Sequence, residues 1–154
     1  MTTASALIAA ARVELAGVAT EGLGQYKRSR WRGERIVRVG EAWHVGVLLV
    51  STDGVFAVGE VLRAGDPGRR GYTAESARHR AALRLMALRG GFRGGEVVHL
   101  DWERIDVAAV DAGRSSGPLS LRGGVPSVQW APGGGHQPLA DYLRERITLL
   151  REQG

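Results

Sequence analysis

The stretch WHVGVLLVSTDGVFAVGEVL, residues 43–62, decides the reading of the fold. β-branched and aromatic residues dominate both halves. Between them lies Asp53-Gly54, a strong signal for a two-residue hairpin turn. The pattern predicts a strand over 43–51 folded back on a strand over 55–62. With Asp53 and Gly54 as the turn, Val50 faces Ala57, Leu49 faces Val58 and Val47 faces Glu60. Both faces of this ribbon are mostly apolar, which places it inside a covered sheet.

On the N-terminal side, residues 4–20 carry Leu7, Ala11, Leu15 and Val18 at helical spacing, with Gly22 and Gly24 as the expected stop. Residues 25–34 are polar and basic, and 35–39 form a preceding strand. Beyond the hairpin, 65–72 is a Gly/Arg/Pro loop. Thr73 is the expected N-cap of a central helix that runs to Arg89 and ends at Gly90-Gly91. Strands are expected at 96–101, 105–110 and 125–130, with a turn-rich segment at 111–124 and a loop at 132–135. Pro138 opens a last helix with Leu139, Leu143, Ile147 and Leu150 on its apolar stripe. This order gives an α+β fold: three helices on a mainly antiparallel or mixed sheet of about five to six strands, in one domain spanning residues 1–154.

Composition narrows the chemistry. The 154 residues are 44% hydrophobic and 24% charged and contain no cysteine, so disulfides, thiolate ligands and cysteine nucleophiles are excluded. No stretch approaches the ~18 apolar residues of a membrane span, and no basic segment precedes an apolar leader. A cytoplasmic location is the expectation by elimination. The net charge is +5, and only one of the 21 Lys/Arg residues, Lys27, is lysine. Arginine use on this scale, with no asparagine, is in part the codon bias of a GC-rich genome, which weakens any argument from arginine to function.

Glu60 stands out because the hairpin register puts a carboxylate on an apolar face, where an unpartnered charge is costly. Arg78 falls within the apolar face of the central helix, so a buried Glu60–Arg78 pair would resolve both desolvation costs. A bulge turning Glu60 outward would do the same. The histidines form no metal-type pair, although His99 and Asp101 would share a strand face, and neither metal nor cofactor is expected. Glu60, His44 and His99 are the acid–base candidates for a hydrolase. Gly113-Arg114-Ser115-Ser116-Gly117 matches G-x-S-x-G, but too little chain follows for the helix of a nucleophile elbow, so it reads as a turn. No phosphate-binding loop is present.

Positive charge is segregated. Residues 27–38 hold Lys27, Arg28, Arg30, Arg32, Arg35 and Arg38 against Glu34 alone, interleaved with Trp31 and preceded by Tyr26. Residues 63–93 hold eight arginines, Arg69 and Arg70 among them. Lys27, Arg28, Arg30, Arg32, Arg69 and Arg70 are the candidate anion-binding residues, since segregated cations with nearby aromatics suit phosphates and bases. A solvated charged face is the plain alternative.

Four stretches, residues 40–49 (GEAWHVGVLL), 59–61 (GEV), 89–92 (RGGF) and 138–143 (PLADYL), resemble a family of small uncharacterised bacterial proteins from GC-rich genomes. Some members bear the name glutaminase, so the resemblance implies a hydrolase acting on an amide, though no catalytic motif comes with it. Two functions are thus expected from the sequence. The leading one is a non-catalytic binding or assembly domain for a polyanion such as nucleic acid, for a protein partner or for a second copy of the chain, away from membranes. The alternative is a small amidohydrolase.

Overall fold

The computed structural model describes residues 2–66 and 74–153. In chain order they form α1 (Ala4–Leu15), β1 (Glu21–Ser29), β2 (Gly33–Val45), β3 (Leu48–Val50), β4 (Val55–Ala57), β5 (Glu60–Arg63), α2 (Glu75–Arg89), β6 (Val97–Leu100), β7 (Glu103–Arg104), α3 (Val107–Asp111), β8 (Leu119–Arg122), β9 (Val125–Ala131), β10 (Gly134–Pro138) and α4 (Leu139–Gln153). The fold is α+β, with four helices and ten strands among the described residues where three helices and five to six strands were expected. The chain divides into two compact units. One comprises the residues up to Thr20, Ala42–Ala57 and those from Glu103 on; the other comprises Glu21–Glu41 and Val58–Trp102.

The first unit contains the end of the expected hairpin, rearranged. The run predicted as one strand over 43–51 is interrupted at Gly46 (φ 62°), which turns the end of β2 back onto β3 with Val45 opposite Leu48. A glycine with positive φ at the first position of a two-residue turn suits a II′ hairpin. The close packing of Tyr142 demands it: a Cβ at Gly46 would lie 1.9 Å from the Tyr142 hydroxyl, which accepts the Val47 N–H at 2.9 Å.

The second turn is displaced as well. β3 and β4 pair Val50 with Val55 and Leu49 with Phe56, so Thr52-Asp53 rather than Asp53-Gly54 sits at the tip. Ser51 N–H donates to Gly54 O, and the Ser51 hydroxyl accepts the Gly54 N–H, closing the turn with a side chain. The pairing slips by two residues, which keeps each side chain on its expected face.

Helices complete this unit. α1 ends at Leu15 rather than near residue 20, with Gly17 (φ 87°) just past its end, where a left-handed residue terminates a helix. Its buried stripe is Ala4, Ile8, Ala11 and Leu15, with Leu7 and Val18 at the margin. Residues 105–110, expected as a strand, instead enter the short helix α3, because the Asp106 carboxylate caps it by accepting the Ala109 N–H at 3.0 Å. The segment 132–135, expected as a loop, runs into β10, the edge of an antiparallel sheet ordered β10-β9-β8. α4 follows Pro138 as expected and buries Leu139, Tyr142, Leu143 and Ile147. In the G-x-S-x-G match the motif serine is Ser115; its neighbour Ser116 accepts the Asp106 N–H, and the strand β8, not a helix, follows. The match is thus a connection between α3 and β8 and not a strand-to-helix elbow.

The second unit is a mixed sheet ordered β5-β6-β1-β2, with residues 33–41 of β2 at one side. β1 runs parallel to β6, and β5 runs antiparallel to it. β1 occupies the stretch read from the sequence as polar and basic, and Gly22 and Gly24 lie inside it rather than ending a helix. Their missing side chains are filled by neighbours. A Cβ on Gly24 would lie 2.7 Å from Ile36 Cγ2 and 2.8 Å from Val98 Cγ1. α2 covers this face through Leu83 and Ala87, packed with Ile36, Val98 and Leu100. Its N-cap is Ala74, which makes no side-chain cap bond. Thr73, the expected cap, lies outside the described residues.

Gly46→Ala combines a left-handed conformation with a clash at Tyr142. It is expected to destabilise the protein by about 2–4 kcal/mol. Tyr142→Phe removes one buried hydrogen bond and is expected to cost about 1–2 kcal/mol. Urea unfolding of both variants checks the order and the size of the effects.

Candidate nucleic-acid interface

The most basic part of the sequence becomes a β-hairpin. β1 and β2 are joined by Arg30, Trp31 and Arg32 in a turn, and the Ser29 hydroxyl holds it by accepting the backbone N–H groups of Trp31 (3.3 Å) and Arg32 (3.2 Å). Gly33 (φ 68°) supplies the left-handed residue that returns the chain to β2. Trp31 is 92% exposed, and Tyr26 is 48% exposed on β1. Lys27, Arg28, Arg30 and Arg32 are all exposed. Four of the six expected anion-binding residues therefore lie on this hairpin, Lys27 and Arg28 on alternate faces of β1 and Arg30 and Arg32 in the turn. The other two, Arg69 and Arg70, lie outside the described residues.

The one carboxylate within this basic stretch is engaged by its neighbour. The Tyr26 hydroxyl hydrogen-bonds Glu34, and this bond, helped by desolvation and the Glu34 charge, raises the phenol above its ordinary pKa. Tyr26 thus stays a neutral donor, with its ring half-exposed at the wall of a cavity beside α2. Arg38 is likewise spoken for: it pairs with Glu96 and stacks on Phe92 at 4.7 Å.

Where α2 ends against β2, Arg32, Arg35 and Arg89 surround a recess of about 540 Å³ that also includes Val37 and Gly90. A second cavity in the same unit, of about 700 Å³, is lined by Tyr26, Glu34, Glu60, His79, Asp101 and Trp102 beside apolar residues of α2. Trp102 donates its indole N–H to Gly24 O at 3.0 Å, and Asp101 is the non-glycine residue with positive φ (56°) among those described.

This geometry corrects the reading of Glu60. The expected strand over 55–62 breaks at Val58-Gly59, and β5 pairs with β6, so Glu60 lies opposite Leu100 rather than Val47. The cause is Gly59, whose Cβ would lie 2.3 Å from Leu100 O and 2.4 Å from Asp101 O; only a bare backbone passes there. Glu60 is half-buried at the cavity and Arg78 is exposed on α2, so a buried Glu60–Arg78 pair does not form.

Within the proposed acid–base set, Glu60 and His99 do not meet. His99 pairs in register with Val61 and Glu60 with Leu100, so alternation puts Glu60 and His99 on opposite faces of the sheet. His99 is fully buried, with Nε2 2.8 Å from the Glu21 carboxylate. Asp101 lies beyond the end of β6 and lines the cavity on the Glu60 side, not the His99 side. His44 sits half-buried in the first unit, opposite Leu49.

The contributions of Arg35 and Arg89 were not legible as a pair, because 53 intervening positions separate them and only the packing of α2 on β2 unites them. The alternation Gly24, Tyr26, Arg28 against Gln25, Lys27, Ser29, closed by Gly33, is the signal that would have revealed the hairpin. Among the described residues no helix is long and apolar enough to cross a membrane. Comparisons with protein-family models, with curated proteins and with solved structures find no match to this chain.

Arg38 also contributes to the acid response of this unit. Its hydrogen bond, then the Arg93 backbone N–H, holds Glu96 below the usual carboxylate pKa. A depressed carboxylate contributes stability above its unfolded pKa, and that contribution disappears as pH falls through the folded value. Arg38→Met removes the main cause, so acid unfolding followed by circular dichroism should begin at higher pH than in the parent protein.

Proposed function

We propose that this protein binds single-stranded nucleic acid through the β1–β2 hairpin, with Lys27, Arg28, Arg30 and Arg32 meeting phosphates and a base stacking on Trp31. The exposure of Trp31 at the tip, between Arg30 and Arg32, carries this reading. A tryptophan offers a large apolar surface that water solvates poorly, and its flat ring matches an unstacked base. Base–aromatic stacking contributes about 1–3 kcal/mol per base and tolerates any sequence. A paired duplex keeps its bases stacked on one another, which is why the ring favours a single strand.

The surrounding charges fit the same partner. Four cations on one short ribbon can replace the counterions condensed on a phosphate backbone. Glu34 is the one acid within residues 27–38, and it lines the neighbouring cavity with Tyr26. This is binding without chemistry: phosphates hold the strand, and the ring selects a nucleic acid over other polyanions.

Binding of a labelled single-stranded oligonucleotide, followed by fluorescence anisotropy across a salt series, tests this reading. If all four cations meet phosphates, the logarithm of the association constant should fall with the logarithm of salt at a slope near about −3. Trp31→Ala should weaken binding by roughly 5- to 150-fold with the slope unchanged. Arg30→Gln should make the slope shallower by about 0.7. Equal binding of heparin, insensitive to Trp31→Ala, would reduce the surface to a general polyanion site. No binding at low salt would overturn the reading and leave a protein partner for the hairpin.

A further inference from the structure

We infer that the recess formed by Arg32, Arg35 and Arg89 is a seat for a phosphate group. Its geometry follows from one close approach. A Cβ on Gly90 would lie 1.6 Å from Ile36 O, so the end of α2 rests directly on the β2 backbone. Arg89 precedes Gly90 and Arg35 precedes Ile36, and this contact therefore draws the two arginines together. Arg32, from the hairpin turn, completes the recess.

Three arginines line the recess, and no carboxylate is among the described residues that form the walls. Other arginines of this unit have acceptors: Arg38 pairs with Glu96, Arg63 donates to Gly95 O and Arg84 donates to Arg63 O. Arg35 differs. Its Nε is buried and has no hydrogen-bond acceptor among the described residues. A buried donor left without an acceptor is costly, so an acceptor that enters the recess recovers that loss. The partial negative charge at the end of α2 favours Arg89 at that position, but it does not account for the Arg35 donor.

A phosphate answers all three features. It carries the opposite charge, and its oxygens accept the paired N–H groups that a guanidinium presents as a fork. The recess, at about 540 Å³, has room for a phosphate together with an attached sugar. The phosphate has two possible sources: a diester within a strand lying on the hairpin, or a monoester that is terminal or free. The first source rests on the proposed binding of nucleic acid; the seat itself does not.

The test uses the full chain in three arms. In the first, ¹⁵N-labelled protein is titrated with inorganic phosphate at low, constant ionic strength. The Arg35 Nε–H and Gly90 amide resonances should shift and saturate, and Arg35→Lys and Arg89→Gln should each weaken binding about 10-fold or more. Arg114→Gln, an exposed arginine of the other unit, should leave it unchanged. In the second and third arms, Arg35→Lys and Arg89→Gln are assayed against oligonucleotides ending in a 5′-phosphate or a 5′-hydroxyl. Equal loss on both strands assigns the seat to a diester, and loss on the phosphorylated strand alone assigns it to a monoester.

Shifts reproduced by chloride, or phosphate affinity unaltered in both variants, overturn the seat. Loss of affinity in Trp31→Ala would still support the hairpin reading in that case. Conversely, saturable phosphate binding with no effect of Trp31→Ala on oligonucleotides would sustain the seat and sink the stacking role.

Discussion

There is no space for a side chain where the end of α2 meets β2. The backbone of Gly90 lies against the carbonyl of Ile36, and this contact sets much of the second unit. It lets α2 lie low enough for Leu83 and Ala87 to close over Ile36, Val98 and Leu100. The glycines on the opposing sheet work in the same direction, since Gly24 leaves the space that Ile36 and Val98 fill. Close-packed interiors tolerate no larger group at such points. The same approach gathers Arg35 and Arg89 at the rim, so the core packing and the basic recess have one origin.

Arginine abundance alone says little about this protein, and the fate of each arginine says more. Arg12 donates to the carbonyls of Ser51 and Gly54, Arg38 pairs with Glu96 and Arg144 pairs with Asp141. These are structural roles. The hairpin cations are instead exposed around a tryptophan that is itself almost fully exposed. The Glu60 cavity presents the opposite charge in the same unit, with Glu34, Glu60 and Asp101 on its walls. A chain with net charge +5 has thus separated its charges into distinct surfaces, which favours different ligands at each.

Much of the local structure was legible. Alternation and apolar runs located β3, β4, β6 and β9, while Gly90-Gly91 and Pro138 marked helix ends correctly. The failures share a cause. Residues 43–51 and 55–62 have apolar side chains on both faces, so alternation could not say where either strand broke or which strand it joined. Gly46 and Gly59 read as ordinary strand glycines, yet each stands where another backbone or side chain comes within 2.5 Å of an added Cβ. At 105–110 the cap on Asp106 outweighed β-branched residues at Ile105, Val107 and Val110.

The sequence by itself determined the helices with clear stops, the apolar ribbon, the absence of thiol chemistry and the cluster of cations around Trp31. These depend on residue type and on spacing over a few positions. Only the tertiary structure decided that β5 leaves the ribbon to pair with β6, that Glu60 and His99 occupy opposite faces, and that Arg35 and Arg89 share a recess. Those outcomes depend on contacts between residues far apart in the chain, where steric fit chooses the partner and local periodicity carries no information about it.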